Sequence, residues 1–225
     1  MTRIIPGILS EDPRFVQSEI AELAQLDPQP NLLQIDILDG EFAPELTIEP
    51  NRLKEFDLHG AQVDIHLMTV EPIDYVSEVR GMSEVRAVIA QIERLHSQAE
   101  FIEEVQECHF MPGFSLDLYT PFESLDMDLL TQVGVIQIMG GQAGSQGQTF
   151  HDSVLDKIRE AAEYRQGLGL EYEILVDIGM NPDTIPAVLQ AGADGVVVGS
   201  YLQQADRENA WEELLQAAKI NEEEA

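Results

Sequence analysis

Three stretches decide the fold of this chain: Gln34-Ile35-Asp36-Ile37-Leu38-Asp39-Gly40, Asp64-Ile65-His66-Leu67-Met68 and Val176-Asp177-Ile178-Gly179. Each one reads as the end of a buried strand, and residues two apart in a strand share one face. Gln34 therefore projects on the same side as Asp36. His66 projects with Asp64 and Met68 on the following strand. A buried carboxylate or imidazole is costly unless it is paired, hydrogen-bonded or bound to metal, so the three strand ends are predicted to form one site.

Strand-like and helix-like segments alternate along the chain without a linker. Apolar runs rich in Ile and Val lie at about 3–9, 32–38, 61–68, 86–92, 113–118, 133–139, 172–177 and 195–199. Amphipathic stretches lie at about 14–26, 51–58, 72–80, 97–107, 123–131, 152–166, 182–191 and 205–219. Apolar strands covered by helices are typical of a parallel sheet buried on both faces. Eight such units predict one (β/α)8 TIM barrel over residues 1–220, followed by an acidic tail at 221–225 that is expected to fray.

The charge of the chain is strongly unbalanced. Its 42 acidic and 12 basic residues give a formal net charge of −30 at pH 7. Self-repulsion on this scale destabilises a compact state unless salt screens it, and we hypothesise that the protein works in a salt-rich cytoplasm. Nucleic acid is disfavoured as a partner, because its binding requires clustered Lys and Arg. An anionic substrate must be held by local hydrogen-bond donors, because the overall field repels it.

Cysteine content and the apolar pattern bear on location. The single cysteine, Cys108, cannot form an internal disulfide and suits a reducing compartment. Residues 1–7 lack the apolar core of a signal peptide, and no apolar run reaches membrane-spanning length. These features predict a cytoplasmic protein with no membrane partner.

The polar strand ends fall where barrels of this kind place their active sites, at the carboxyl ends of the strands. Asp36, His66 and Asp177 end strands two, three and seven, so closure of the barrel would bring them together. Their wide separation in sequence is then a consequence of the fold. The sequence predicts a site of two carboxylates and one imidazole at the barrel mouth.

Glycine-rich loops are predicted at the same end of the barrel. The loop after strand six, at residues 140–148, is richer in glycine than a turn requires. Gly179 follows strand seven, and Gly199 and Ser200 follow strand eight. Exposed backbone N–H groups in such loops commonly hold phosphate in barrels. A phosphate site beside the carboxylates is therefore expected.

These segments resemble the ribulose-phosphate 3-epimerase family along nearly the whole chain. The landmarks are Pro6-Gly-Ile-Leu-Ser10, Ile35-Asp36-Ile-Leu-Asp39-Gly40-Glu-Phe42-Ala-Pro44, Leu46-Thr47-Ile48, Asp64-Ile-His66-Leu-Met68, Ile138-Met139, Gly147-Gln148-Thr-Phe150, Val176-Asp177 and Ala191-Gly-Ala-Asp194. The resemblance implies a barrel of the ribulose-phosphate-binding type and a homo-oligomer. It also implies conversion of D-ribulose 5-phosphate to D-xylulose 5-phosphate, so that the partner is a small phosphorylated sugar.

The resemblance implies roles for individual residues. Asp36 and Asp177 match the family's two catalytic aspartates, which act on opposite faces of the substrate. Those aspartates and His66, together with the position occupied here by Gln34, match the ligands of one divalent metal ion, which could be Zn, Mn, Fe or Co. The chemistry agrees, because a C–H beside a ketone becomes acidic only when nearby positive charge stabilises the anion.

Other positions match groups that contact the sugar phosphate. Met68 and Met139 match methionines near the reacting carbons, and Ser10 is a further candidate for substrate binding. The candidate phosphate-binding residues are Gly144, Gly147, Gln148, Gly179, Gly199 and Ser200.

Several positions depart from the family pattern. Gln34 stands where the family has a metal-binding histidine, and a neutral amide oxygen is a poorer zinc ligand than imidazole. Metal affinity is therefore expected to fall, and harder ions should compete better. Ile178 replaces the first glycine after the second aspartate. Gln146 replaces a loop glycine, and the replacements of a serine by Gly7 and of a methionine by Leu38 are mild.

Other functions stay open at the level of the sequence. A related hexulose-phosphate 3-epimerase would differ only in pocket size. A catalytically silent barrel that binds a sugar phosphate or a protein would result if Gln34 had abolished metal binding. An aldolase or decarboxylase is disfavoured, because none of the three lysines falls at a predicted carboxyl strand end. Asp39, Asp64 and Asp117 are expected to serve structure.

The melting temperature of the protein is expected to rise between low salt and molar KCl, because screening weakens repulsion within a chain of net charge −30. Scanning calorimetry at fixed pH measures the effect. A parallel titration with sucrose separates ionic screening from stabilisation by an excluded solute. A melting temperature that stays flat in KCl would contradict the interpretation.

Overall fold

A computed structural model describes residues 2–144 and 147–224, with side chains through Lys219. Met1, Ser145, Gln146 and Ala225 lie outside the described residues. Eight parallel strands close into a barrel in sequence order, and the first strand pairs with the last. They are β1 (Arg3–Ile8), β2 (Leu32–Leu38), β3 (Gln62–Met68), β4 (Val85–Gln91), β5 (Met111–Leu116), β6 (Val135–Met139), β7 (Glu173–Asp177) and β8 (Gly195–Val198). The predicted (β/α)8 TIM barrel is confirmed.

Helices with ordinary capping signals connect the strands. In the described chain the α-helices are α1 (Pro13–Leu23), α2 (Pro72–Val76), α3 (Gln98–Glu107), α4 (Val154–Leu168), α5 (Ile185–Gln190) and α6 (Arg207–Glu224). Asp12 starts α1 by accepting a hydrogen bond from Arg14 N, and Ser97 starts α3 in the same way through Glu100 N. Gly169 ends α4 in the left-handed conformation. As far as the chain is described, no helix is both long and apolar enough to cross a membrane.

The predicted helix at 51–58 is shorter and tighter in the structure. The segment Pro50–Glu55 is a 3-10 helix, and Phe56 is already extended. His59 and Gly60 both have positive φ and form a turn immediately before β3. Turn residues near the end of the segment therefore leave room for only a short helical piece.

The predicted helix at 123–131 is divided into two 3-10 segments, Phe122–Ser124 and Met127–Gln132. Asp126 lies between them and accepts a hydrogen bond from Asp128 N. An aspartate that caps in this way starts a new helix and does not continue the previous one. The amphipathic pattern is present, but the cap inside it decides the local structure.

The barrel wall separates two apolar cores. The larger core lies between the outer face of the barrel and the surrounding helices, and it includes Val63, Phe101 and Trp211. The smaller core is composed of Ile5, Leu32, Ala87, Ile89, Val135, Leu175 and Val197. Its members lie on alternate positions of the strands and fill the middle of the barrel interior. This second core forms an apolar layer beneath the carboxyl ends of the strands.

A network of ion pairs closes the opposite, amino end of the barrel. Arg86 binds the fully buried Asp64 with two hydrogen bonds, at 2.8 and 2.5 Å, and it binds Glu173 at 2.7 Å. Arg3 reaches the same Glu173 at 2.8 Å. Asp64 therefore serves barrel structure, as expected, and lies far down β3 from the carboxyl strand ends.

Replacing Arg86 with methionine should lower the free energy of unfolding by about 3–5 kcal/mol, because Asp64 would be left buried without its partner. Urea denaturation measures the loss. The double variant Asp64→Leu with Arg86→Met should recover part of it, since no unpaired charge remains. Arg14→Met removes an exposed pair with Asp12 and should leave the free energy of unfolding nearly unchanged. Equal stability of the Arg86 and Arg14 variants would contradict this account.

Candidate active site

The carboxyl ends of β2, β3 and β7 bring two aspartates and one histidine together. Asp36 pairs with His66 in the β2–β3 register, and Asp177 is the last residue of β7. His66 Nδ1 lies 3.0 Å from Asp36 Oδ1 and 4.0 Å from Asp177 Oδ2. One ligand atom from each residue lies within 4.8 Å of the other two. Barrel closure thus joins side chains that are far apart in sequence.

Gln34 joins the two carboxylates from below. Its side chain is fully buried, and its Nε2 donates to Asp36 Oδ1 and Asp177 Oδ2, both at 2.9 Å. The same atom lies 3.5 Å from His66 Nδ1. The carbonyl oxygen of this amide, Oε1, is buried and has no hydrogen-bond partner among the described residues. One neutral amide therefore holds together two groups that would otherwise repel each other.

Asp177 has an unusual proton affinity. Burial raises its pKa from the ordinary 3.8 to about 7, and the neighbouring Asp36 carboxylate adds to the rise. His66, the N–H of Ile178 and Gln34 act in the opposite direction. Asp177 can therefore gain or lose a proton near neutral pH, which is what a proton-transferring group requires.

The turn after β7 fixes the Asp177 side chain. Ile178 has φ 75°, and its N–H donates to Asp177 Oδ1 at 2.6 Å. The N–H of Gly140, at the end of β6, donates to the main-chain oxygen of Asp177 at 2.6 Å. A β-branched residue rarely adopts positive φ, and such strain persists only where the surroundings impose it. The strained turn holds one carboxylate oxygen away from Gln34 and leaves the other facing it.

Three further polar side chains in the barrel interior were not singled out from the sequence. Gln91, Ser115 and Gln137 are fully buried on β4, β5 and β6. Gln137 Nε2 lies 3.2 Å from His66 Nδ1 and 3.4 Å from Asp177 Oδ2, while Gln91 Nε2 lies 3.1 Å from His66 Nε2. Strand alternation puts Gln34 on the same face as Asp36, and it also puts Gln137 on the same face as Met139. The sequence pattern therefore placed Gln137 at the site as well.

A pocket opens above the cluster at the carboxyl ends of the strands. Asp36 and Asp177 lie at its base, and their side chains are 12% and 13% exposed. His66 and Gln34 lie deeper, without solvent exposure. The other predicted site residues that line the pocket are Met68, Met139, Gly144, Gly147, Gly179, Gly199 and Ser200. The carboxylates therefore share one pocket with most of the candidate substrate-binding positions.

The glycine turn after β7 depends on the absence of a side chain. Gly179 has φ 75°, and a Cβ placed there would lie 2.3 Å from the Phe150 N atom. No other residue could bring this backbone so close to the loop that follows β6. The close approach packs the loop after β6 against Gly179, which lines the pocket.

Two predicted site residues are placed outside the pocket lining. Ser10 Oγ accepts a hydrogen bond from Asp12 N at 3.2 Å, next to the start of α1. Gln148 uses its amide to bridge its own loop, accepting from Gln142 N at 3.1 Å and donating to Gln142 O. Their roles in substrate and phosphate binding stay predictions.

Two other aspartates at this end of the barrel hold loops. Asp39 accepts hydrogen bonds from the main-chain N–H groups of Glu41, Phe42 and Val70. Burial by itself would raise the pKa of Asp39. The hydrogen bonds outweigh this effect and hold the pKa below its usual value. Asp117 accepts from Ala143 N at 2.8 Å and so fixes the loop after β6. Both residues have the structural role expected from the sequence.

The donor set of the cluster suits a divalent cation. Imidazole nitrogen and carboxylate oxygens are ordinary ligands of Zn²⁺, Mn²⁺, Fe²⁺ and Co²⁺. Gln34 can offer a further oxygen, because a half-turn of its amide would exchange Nε2 with the unpartnered Oε1. Asp36, His66, Asp177 and Gln34 therefore fit such an ion.

A closed barrel with an ionisable cluster and a glycine-lined pocket at the carboxyl strand ends defines a TIM-barrel enzyme. The family described as ribulose-phosphate 3 epimerase matches residues 3–203. The chain belongs to this family, as the sequence landmarks predict, and the family is one of isomerases.

Relatives of known name cover almost the whole chain. A ribulose-phosphate 3-epimerase of Escherichia coli is 30% identical over 229 residues, which is 98% of this chain and 98% of that protein. One from Synechocystis is 31% identical and covers 90% of this chain and 87% of its own. One from Helicobacter pylori is 29% identical and covers 94% and 96%.

Solved structures with low sequence identity share the fold. A mutant tryptophan synthase α-subunit from Pyrococcus furiosus has a TM-score of 0.65 at 18% identity, covering 96% of this chain and 100% of that chain. A phosphoribosyl anthranilate isomerase from Thermus thermophilus has a TM-score of 0.62 at 11% identity, covering 97% and 99%. These similarities support the barrel architecture alone.

Asp177→Asn should stabilise the metal-free protein at pH 8. With a pKa raised from 3.8 to about 7, ionising Asp177 costs roughly 4 kcal/mol more in the folded state than in the unfolded chain. The unfolded chain loses this proton first, so the penalty grows as pH rises from about 4 and is complete above about 7. The stabilisation should therefore be large at pH 8 and small near pH 4.

Urea denaturation in EDTA at both pH values measures this difference. The exposed Asp57 provides a control, since Asp57→Asn removes one negative charge without relieving burial. If Asp177→Asn is no more stable than Asp57→Asn at pH 8, the carboxyl is not held in a state that resists ionisation.

Proposed function

We propose that this protein catalyses epimerisation at C3 of a pentulose 5-phosphate and converts D-ribulose 5-phosphate to D-xylulose 5-phosphate. Family membership and the names of its relatives support this substrate. The observation that carries the proposal is the pairing of Asp36 and Asp177 through Gln34 at the base of one pocket. Two carboxylates facing a single ligand are what inversion at a carbon beside a ketone requires.

Inversion at C3 needs one group that removes a proton and a second that returns a proton to the opposite face. Asp36 and Asp177 come from β2 and β7, with β1 and β8 between them, so they approach the pocket from separate directions. Asp177, with a pKa of about 7, can hold or release a proton near neutral pH. Asp36 is the complementary carboxylate for the other face.

The negative charge that develops when C3 loses its proton needs nearby positive charge or N–H groups. Asp36, His66, Asp177 and Gln34 would hold a divalent cation, which when bound would supply that positive charge beside the ketone oxygen. The chain contributes an amide donor of its own at the same place, because Gln137 turns its Nε2 to the cluster.

Met68 and Met139 shape the pocket above the carboxylates. Both side chains are buried, at 2% and 1% exposure, and both line the pocket. Thioether side chains adapt to an irregular ligand and offer no strong hydrogen bonds to water. They would exclude water from the reacting carbon, so that protons travel by way of the aspartates.

Main-chain groups around Gly147, Gly179, Gly199 and Ser200 provide the phosphate end of the pocket. Because Gly179 has no Cβ, its backbone can lie close to Phe150. The loops after β6 and β7 therefore come together at that side of the pocket. Neutral N–H donors can hold a phosphate without a lysine or arginine. This arrangement suits a chain whose overall charge repels anions.

Deuterium exchange at C3 tests the two-aspartate mechanism. Asp36→Asn and Asp177→Asn should each lower the rate of epimerisation by about 10²–10⁴-fold, the usual contribution of a positioned acid or base. Each variant should still exchange C3 hydrogen in one epimer, and the two variants should retain exchange for opposite epimers. Nuclear magnetic resonance in D₂O follows exchange, and a coupled assay follows inversion.

Asp57→Asn, on the exposed surface, is the matched control and should leave both rates unchanged. Metal content is measured on every sample, because both aspartates belong to the candidate ligand set. An unchanged protein that binds inorganic phosphate, yet neither inverts nor exchanges C3 with metal present, would be the catalytically silent barrel. Full turnover by Asp177→Asn would show that the proton donor and acceptor are misassigned.

A further inference from the structure

The imidazole of His66 has different surroundings on its two ring nitrogens. Nδ1 faces the carboxylate cluster, with Asp36 Oδ1 at 3.0 Å and Gln137 Nε2 at 3.2 Å. Nε2 faces the other side of the barrel interior and has Gln91 Nε2 at 3.1 Å. A neutral imidazole carries a proton on only one nitrogen, so the two sides cannot be satisfied independently.

With the proton on Nδ1, the ring donates to Asp36 but meets the N–H of Gln137 head-on. With the proton on Nε2, the Nδ1 lone pair can accept from Gln137 or, in its place, face a cation held with the carboxylates. The Nε2 proton then requires an acceptor, and the nearest group is the Gln91 amide. Cation binding at Nδ1 therefore depends on what Gln91 presents to Nε2.

The Gln91 amide has an oxygen that could act as this acceptor. Gln91 is fully buried, and within the part of the chain that the structure describes its Oε1 has no hydrogen-bond partner. Its Nε2 serves both His66 Nε2 and Ser115 Oγ, at 3.1 and 3.0 Å. A half-turn about the last torsion would put Oε1 in that position, where it could accept from the His66 Nε2–H and the Ser115 hydroxyl together. The His66 Nε2–H and the Ser115 hydroxyl would then share one acceptor.

We propose that Gln91 is a positioning residue for cation binding, which fixes the proton of His66 on Nε2 and so presents Nδ1 to the ion. The inference rests on the proposed metal-assisted function. It assigns the residue that determines which ring nitrogen of His66 is available to the ion. Gln91 contacts neither substrate nor ion and acts through His66. Strand register supports the arrangement, because Gln91 pairs with Ser115 across β4 and β5.

Gln91 differs in this respect from the other two amides of the interior. Gln34 and Gln137 turn their Nε2 atoms to the carboxylates, so replacing either would disturb the proton-transfer groups directly. Gln91 instead contacts the far nitrogen of His66. Partners of this kind orient a ligating histidine, and their loss typically weakens metal binding about 10–100-fold.

Metal affinity of the full-length protein tests the proposal, with Zn²⁺ and Mn²⁺ titrated against a chromophoric chelator. Gln91→Met removes the acceptor at similar volume and should weaken binding of either ion by about 10–100-fold. Gln91→Glu retains an acceptor and should bind as tightly as the unchanged protein or more tightly. Ile89→Val is the matched control, since Ile89 lies two residues earlier on β4 in the apolar core and should leave affinity unchanged.

Nitrogen NMR of the histidine rings supplies a readout that a merely structural role would not move. In the Zn²⁺-loaded protein, His66 should carry its proton on Nε2, with Nδ1 shifted as a metal ligand, and His66→Asn identifies its signals. Binding by Gln91→Met within threefold of the unchanged protein would overturn the inference, as would a loaded ring that keeps its proton on Nδ1. If the unchanged protein binds neither ion, the metal site of the proposed function is contradicted. This outcome is distinct from one in which the unchanged protein binds metal and Gln91→Met binds it equally well.

Discussion

Two carboxylates that meet inside the barrel are the constraint on which the rest of the site depends. Asp36 and Asp177 approach from β2 and β7 into surroundings that solvate charge poorly, where like charges repel strongly. Gln34 offsets part of this repulsion with a single amide that donates to both at 2.9 Å. The raised pKa of Asp177 offsets more of it, because a protonated carboxyl carries no charge. A cation at the same point would act more strongly, so the cluster can be balanced by a proton or by an ion.

The barrel interior keeps this chemistry apart from the charges that stabilise the fold. At the amino end, Arg86 pairs with Asp64, and Arg86 and Arg3 together pair with Glu173. At the carboxyl end, amide groups surround His66 and the two carboxylates. The apolar cluster around Ile89 lies between the two polar layers. The charges at the amino end therefore contribute to the stability of the fold. Those at the carboxyl end determine the proton affinity of the site.

Strand periodicity predicts the barrel and the convergence of its polar ends, because alternation and strand position determine both. The same periodicity applies to Gln91 and Gln137, but a neutral amide in a strand does not indicate a role until its neighbours are known. Those neighbours are set by register, which pairs Gln91 with Ser115 and Ser115 with Gln137. Register depends on closure of the whole sheet and cannot be derived from one segment. The helix predicted at 123–131 was wrong for a local reason, since the cap at Asp126 divides an otherwise amphipathic stretch.

The pocket lining reconciles an anionic substrate with a chain of net charge −30. Among the described residues that line it, there are two aspartates and no lysine or arginine. On the proposed function, the phosphate is therefore held by main-chain N–H groups, whose positions are fixed by turns such as the one at Gly179. Short hydrogen bonds inside a pocket are little affected by salt, whereas repulsion from a distant acidic surface is screened over about 10 Å. Salt that stabilises the acidic fold would thus also ease the approach of a phosphorylated sugar, while the contacts that hold it stay the same.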